Sequence, residues 1–164
     1  MKIKETKLKG IFKIEIDKFL DFRFEYIESF NLKKFLKFKK IKFIQDDFSI
    51  SKKNVLRGFH GDSKTWKLVS CIHGSFDLFV VNYDKLSKQY LKTAKFNLTD
   101  KKYVQILIPP KFGNAHLVKS DKAIFHYKQT TYYNRKGQFT IKWNDPRLKI
   151  KWGIKKPILS ERDK

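Results

Sequence analysis

The sequence predicts an all-β fold, a sandwich or barrel with one short helix. Three observations lead there. Short apolar runs recur along the 164 residues, and many of them alternate strictly between apolar and polar positions. Turn-forming residues interrupt these runs at intervals of about ten residues. Only residues 29–40 carry the spacing of a helix.

Residues 1–16 alternate lysine with apolar residues, and 11–16 read as a strand exposed on one face. Residues 21–28 alternate again as a second strand. Ser29 or Asn31 can cap a helix running to Lys40, with Leu32, Phe35 and Leu36 as its apolar stripe. Residues 42–51 return to the strand pattern. Residues 55–60 and 66–69 read as two antiparallel strands joined through a turn at Gly61-Asp62, which would bring Arg57, His60 and Lys67 to one mouth. Residues 76–81 and 94–98 follow, and 103–108 form an apolar strand that Pro109-Pro110 stops. Strands at 116–118, 123–131, 139–143 and 150–152 complete the series. No repeat, low-complexity linker or change of composition divides the chain, so residues 1–164 are expected to form a single domain.

The formal net charge of +22 would ordinarily point to a nucleic acid. Here, however, the basic residues are 33 lysines and only 5 arginines, spread over the whole chain. A nucleic-acid face clusters its charge and uses arginine for paired contacts, so no nucleic-acid role is expected. The excess charge should still speed the approach of a phosphorylated ligand. Cys71 is the only cysteine, which excludes an intrachain disulfide and suits a reducing compartment. No stretch has the length of a membrane span and Met1-Lys2-Ile3-Lys4 lacks an apolar signal run, so a cytoplasmic protein without membrane contact is expected.

The four histidines, His60, His73, His116 and His126, offer no local ligand pair, and Asp62 stands two residues after His60 where metal-binding barrels place a second histidine. No metal site is expected. No phosphate-binding loop, dinucleotide fingerprint or nucleophile elbow occurs.

A set of runs stands in one order. Asp21-Phe22-Arg23, Glu28-Ser29-Phe30-Asn31, Gln45-Asp46, Val55-Leu56-Arg57-Gly58-Phe59-His60 and Lys67-Leu68-Val69 come first. Ile108-Pro109, Phe112-Gly113, Ala115-His116, Tyr127-Lys128, Tyr132-Tyr133, Trp143-Asn144-Asp145-Pro146 and Leu159-Ser160-Glu161-Arg162-Asp163 continue it. In this order and spacing nearly the whole chain resembles the dTDP-4-dehydrorhamnose 3,5-epimerase family, cupin-like jelly rolls acting on nucleotide-linked 4-keto sugars. The segment from His60 to Lys67 is shorter than is common in that family. With its His60-Gly61-Asp62 and Lys64-Thr65-Trp66-Lys67-Leu68 runs, it is similar to the branch that works on GDP-linked 4-keto heptoses for bacterial capsules. Phe24 after Arg23 and Leu117 after His116 also depart from the family pattern, at positions that bear on the nucleotide.

The resemblance implies a cupin-like jelly-roll barrel and an epimerase that inverts C3, C5 or both of a nucleotide-linked 4-keto sugar, with GDP-4-keto-heptose expected and no cofactor. It implies His60 as base, Asp163 as the carboxylate pairing with it, Lys67 as the cation at the enolate oxygen and Tyr127 as the acid on the other face. A neutral imidazole with a pKa near its usual value of about 6.5 can accept a proton at cellular pH. A carbon acid beside a ketone also needs its developing oxyanion stabilised. Strand alternation turns Tyr127 and His126 to opposite faces, and the tyrosine is assigned inward. Arg57 and Arg23 are expected at the diphosphate, His116 at the sugar or phosphate, Tyr133 at the base, and Gln45 at the substrate. The resemblance also implies a homodimer in which Arg23 and Glu28 act in the neighbour's site. Two alternatives stay open: a 3,4-ketoisomerase on a similar barrel, and a non-catalytic jelly-roll module for an anionic carbohydrate or nucleic acid.

Overall fold

The computed structural model describes residues 1–164 as two facing antiparallel sheets and a separate hairpin. The strands are β1 (Lys2–Glu5), β2 (Phe12–Glu15), β3 (Lys18–Asp21), β4 (Phe24–Ile27), β5 (Gln45–Lys52), β6 (Leu56–Gly61) and β7 (Lys67–His73). They continue with β8 (Ser75–Asn82), β9 (Thr93–Thr99), β10 (Val104–Ile108), β11 (Phe112–Val118), β12 (Lys122–Gln129) and β13 (Phe139–Ile141). One sheet has six strands in the order β1-β2-β10-β7-β12-β5, and the other has five in the order β13-β6-β11-β8-β9. From β5 onward consecutive strands switch between the sheets except at the β8–β9 hairpin, which is the jelly-roll arrangement that the family resemblance implies.

Apolar side chains of both sheets fill the space between them, among them Val69, Ile106, Phe76, Leu78, Val80 and Phe125. β8 is buried along nearly its whole length because both of its faces are covered. Phe76, Leu78 and Val80 point into the barrel, while Phe79 and Val81 lie under a C-terminal strap that brings in Leu148 and Trp152. Its one buried acid, Asp77, is neutralised by Lys95 at 2.9 Å. The helix α1 (Leu32–Phe38) starts where the Asn31 side chain accepts from the Lys34 N–H. It seats Phe35 on Ile14, Leu68 and Leu107 over the outer face of the six-stranded sheet. Burying a phenylalanine in this way contributes about 2 to 3 kcal/mol.

Several expectations are corrected. The alternating run at 21–28 is not one strand: β3 and β4 form a hairpin that turns at Phe22-Arg23, where Asp21 accepts from the Arg23 N–H and pairs with its guanidinium. The strands before and after Gly61-Asp62 are not a hairpin. β6 pairs with β11 and β13, β7 pairs with β10 and β12, and the turn carries the chain from one sheet to the other. Residues 150–152 form no strand, because Trp152 turns inward against Phe59 and Phe79 instead of joining a ladder. The helix ends at Phe38, two residues before Lys40, and the next strand begins at Gln45 instead of residue 42. The strand expected at 116–118 starts earlier, at Phe112. No helix is long and apolar enough to cross a membrane.

Candidate active site

The chain's crossing at Gly61-Asp62 places β6 and β7 on opposite walls of one cavity of about 510 Å³. Small-molecule sites span about 300 to 1,000 Å³. One wall carries Arg57 and His60 from β6 with Asn114 and His116 from β11; the other carries Lys67 from β7 with Phe125 and Tyr127 from β12. The mouth is rimmed by Tyr133, Arg135 and Gln138 and by the C-terminal turn Ser160–Asp163.

Strict alternation would turn Arg57 and His60, three residues apart, to opposite faces. A β-bulge removes the conflict. On β11 the step from Asn114 to His116 spans two residues, while on β6 their partners His60 and Arg57 lie three apart. Gly58 sits in this bulge, and a Cβ there would lie 2.8 Å from Asp163 Oδ1. Glycine is therefore what lets the carboxylate reach the histidine: Asp163 Oδ1 lies 2.8 Å from His60 Nε2.

Ser160 donates to Asp163 Oδ2 at 2.7 Å. Burial by itself would raise the Asp163 carboxyl. The bond to His60, the bond from Ser160 and the histidine's charge outweigh it and hold the group below the usual carboxylate range. With Nε2 turned to the carboxylate, Nδ1 is the nitrogen left to exchange a proton.

Across the cavity, burial pushes the Tyr127 hydroxyl up to about 12, and the charge and hydrogen bond of neighbouring Asp47 add to it. The tyrosine thus holds its proton at neutral pH. Burial brings the Lys67 ammonium down to about 8, with Arg162 adding and Asp62 opposing, and its Nζ donates to Asn114 Oδ1 at 3.2 Å. His116 stacks on Phe125 at 4.1 Å; burial and then Arg57 pull it down to about 3, so it is neutral, and its Nε2 is buried without a partner. Such a nitrogen at a cavity wall is ready for a ligand's polar atom.

The mouth is cationic. Arg57 donates to the Ser51 hydroxyl, and Arg162 donates to Gln138 and Thr140, all of them neutral groups. Of the lining carboxylates, Asp163 is engaged by His60 and Glu161 by Lys164. The uncompensated charge fits a ligand with phosphate groups. No three histidine, cysteine, aspartate or glutamate side chains converge as a metal would require.

Seven of the residues singled out from the sequence therefore meet in this cavity: His60, Lys67, Tyr127, Asp163, Arg57, His116 and Tyr133. Gln45 stands one layer behind, accepting from the Tyr133 N–H at 2.7 Å and donating to Asp47 at 2.8 Å. Arg23 and Glu28 do not line this chain's cavity. Arg23 pairs with Asp21 at the hairpin tip, and Glu28 holds Lys34 and Asn31 at the start of α1. Sequence reasoning did not single out Asn114, Arg135, Gln138, Thr140 and Arg162. For the arginines a signal was available: with only 5 in the chain, three of them, Arg57, Arg135 and Arg162, line this one cavity.

The profile of the family described as dTDP-4-dehydrorhamnose 3,5-epimerase matches residues 5–164. The dTDP-4-dehydrorhamnose 3,5-epimerase of Shigella flexneri is 33% identical over 168 residues, covering 99% of this chain and 93% of the relative. The crystal structure of the dTDP-4-dehydrorhamnose 3,5-epimerase of Elizabethkingia anophelis NUHP1 superposes with a TM-score of 0.91 at 34% identity, covering 99% of this chain and 93% of that one. The dTDP-6-deoxy-D-glucose-3,5-epimerase of Legionella pneumophila Philadelphia 1, solved in complex with dTDP-4-keto-L-rhamnose, gives 0.93 at 33% identity, covering 99% and 89%.

Proposed function

The chain belongs to the dTDP-4-dehydrorhamnose 3,5-epimerase family, and from that premise we propose that it inverts C3, C5 or both of a dTDP-linked 4-keto-6-deoxy sugar. The observation that carries the reading is one cavity holding a carboxylate-backed histidine on one sheet and a protonated tyrosine on the other. The ketone makes the neighbouring C–H acidic, but a positioned base is still needed. His60 Nδ1 takes that proton, and Asp163 stabilises the imidazolium that results. The electron pair moves to the carbonyl oxygen, where the Lys67 ammonium meets the developing charge. Tyr127 then delivers its proton to the opposite face of the carbon, and the configuration inverts. Arg57, Arg135 and Arg162 hold the diphosphate, His116 Nε2 supports the sugar or phosphate, and Tyr133 stacks on the base. A non-catalytic binding module would have no use for a base and an acid on opposed walls, and the relatives named above are epimerases.

The base expected from the short His60–Lys67 segment, guanine in a GDP-heptose, finds no counterpart among these relatives, whose names specify dTDP sugars. Incubation with dTDP-4-keto-6-deoxyglucose and with a GDP-4-keto-heptose in heavy water, followed by mass spectrometry, separates the two. Deuterium gain on the dTDP sugar at the higher kcat/KM is expected. Exchange on neither sugar would remove the epimerase reading.

The homodimer is proposed on the exposed hairpin. Phe19, Leu20, Phe22, Phe24 and Tyr26 of this one arm are 57%, 66%, 97%, 75% and 67% exposed. β5, an edge of the six-stranded sheet, also presents Phe48 and Ile50 to solvent. An arm of this kind laid on a second copy would bring Arg23 to the neighbour's cavity. Mixing Arg23→Ala with His60→Asn subunits should then restore about a quarter of wild-type activity, the share of intact sites in randomly paired dimers. Two inactive variants that stay inactive on mixing would exclude the shared site.

A further inference from the structure

Thr140 carries a hydroxyl 3.2 Å from His60 Nδ1, the nitrogen left for chemistry. It stands on β13 directly opposite His60 in the β13–β6 register, so the contact is built into the strand pairing. The direction of the bond follows from a third residue. Arg162 donates to Thr140 Oγ1 through Nε at 3.4 Å and Nη2 at 3.2 Å. A guanidinium can only donate, so the hydroxyl oxygen is the acceptor there; with the Nε2 proton on the Asp163 side, Nδ1 carries the lone pair and takes the hydroxyl's own hydrogen. In this arrangement the base is therefore capped.

Arg162 is held by nothing stronger. Its remaining contacts are Gln138 Oε1 at 3.1 Å and the Tyr133 hydroxyl at 3.5 Å, both neutral, and it faces the cavity. A phosphate oxygen is a better partner for a guanidinium than any of these. We infer that Thr140 is a positioning residue that caps His60 while Arg162 holds its oxygen and releases it when a diphosphate draws Arg162 away, so that phosphate binding makes the base available. The inference rests on the reading of this cavity as a nucleotide-diphosphate sugar site. Once Arg162 has turned to the phosphate, the Thr140 oxygen regains its lone pairs. Because Thr140 is exposed on the edge strand, its hydroxyl can rotate to water and leave the Nδ1 lone pair free. The sugar end of the substrate thus meets an uncapped base only after the phosphate end is seated.

The test follows the Nδ1 resonance of His60 in protein labelled with 15N-histidine and assigned by its loss in His60→Asn. Inorganic pyrophosphate is the probe, and its binding is measured in parallel by calorimetry. Saturating pyrophosphate should move the wild-type resonance to the position that Thr140→Val shows without ligand, and Thr140→Ser should behave as wild type. Thr140→Val should also raise kcat/KM about two- to fivefold, the equivalent of one ordinary hydrogen bond no longer broken. Loss of a merely supporting contact would lower kcat/KM instead. Equal resonances in ligand-free wild type and Thr140→Val, a fall in kcat/KM, or bound pyrophosphate that leaves the wild-type resonance in place would each overturn the inference and leave the epimerase reading standing. Pyrophosphate that does not bind would overturn the coupling and the diphosphate assignment together.

Discussion

His60 and His126 have matching neighbours in different places. Each has a carboxylate at Nε2, Asp163 at 2.8 Å and Asp46 at 2.5 Å, and each has a hydroxyl at Nδ1, Thr140 at 3.2 Å and Ser70 at 2.8 Å. The surroundings separate them. Asp163 is 5% exposed and serves His60 and Ser160, while the Asp46 side chain is half exposed and shared with Lys128. The hydroxyl beside His60 is on exposed Thr140 at a sheet edge, with its oxygen held by Arg162; the one beside His126 is on buried Ser70 in the middle of the six-stranded sheet. Of the two, His60 lines the cavity described above, with Tyr127 on the far wall. A histidine–carboxylate pair with a nearby hydroxyl is thus not a site in itself. It becomes one when the second nitrogen faces a space that a substrate can fill and its partner there can leave.

The comparison is broken most directly by removing each ring. His60→Asn should lower deuterium exchange at least a hundredfold, within the usual range of general-base contributions. His126→Asn should stay within about twofold of wild type. Similar losses from the two, measured by mass spectrometry, would erase the distinction. The next test removes the far wall. In Tyr127→Phe the base can still strip a proton and return one on its own side, so inverted product should fall about a hundredfold while exchange falls much less. NMR of the ring couplings after incubation in heavy water reads both quantities in one sample.

A third experiment moves the carboxylate and spares both rings. Gly58→Ala puts a methyl into the space of Asp163 Oδ1, and kcat should drop about tenfold or more as the pair with His60 is lost. A normal kcat with the Asp163–His60 distance retained in a crystal structure of the variant would show that the bulge tolerates a side chain.

Lysines sharpen the contrast through pH. The Lys67 ammonium, brought down to about 8, is complete below that pH and lost as pH rises through it, so kcat/KM should fall on the basic side near 8. Lys67→Arg should be slower at neutral pH and lack that limb, because a guanidinium does not titrate there. Lys128→Arg, beside the outer pair, should leave the profile unchanged. The smallest effect belongs to Asp46→Asn, with about 1 kcal/mol or less of stability lost in urea unfolding at pH 7. The Asp46 carboxyl is held below the usual carboxylate range. Burial opposes this, but the bond from Lys128 and the charge of His126 prevail. Its contribution is therefore complete above the unfolded pKa of about 3.9 and lost as pH falls below it, so wild type and variant should converge in acid.

Much of this was legible in the residues. Alternation placed most strands, the helix start was narrowed to Ser29 or Asn31 and lies at Asn31, and alternation along 126–127 together with the family resemblance put Tyr127 inward. The bulge at Gly58 was not legible, because nothing in a run of alternating residues says that two will oppose one. Nor was the parting of β6 from β7. A turn such as Gly61-Asp62 serves a hairpin and a crossing between sheets equally well, and the choice depends on which distant strands take up the hydrogen bonds. Thr140 and Arg162 escaped because their role arises from strand register and a terminal turn meeting at one imidazole. Of the run 159–163 only Asp163 was drawn out, while its neighbour Arg162 lines the same cavity.

Asp163 is held by a segment with little regular structure. After β13 the chain crosses the outer face of the five-stranded sheet, anchored by Leu148 and Trp152 and by backbone bonds of 2.9 Å between Leu56 and Ile158 and between Ile158 and Asn54. It belongs to neither sheet, so it can lift as a unit while both ladders stay closed. Heat should therefore silence the enzyme in two stages: a reversible loss of activity as the strap detaches and carries the carboxylate from His60, then the cooperative melting of the barrel at a higher temperature. The hold of this strap, through Leu148, Trp152 and the two Ile158 bonds, should therefore set the temperature at which activity fails, below the one at which the sheets give way.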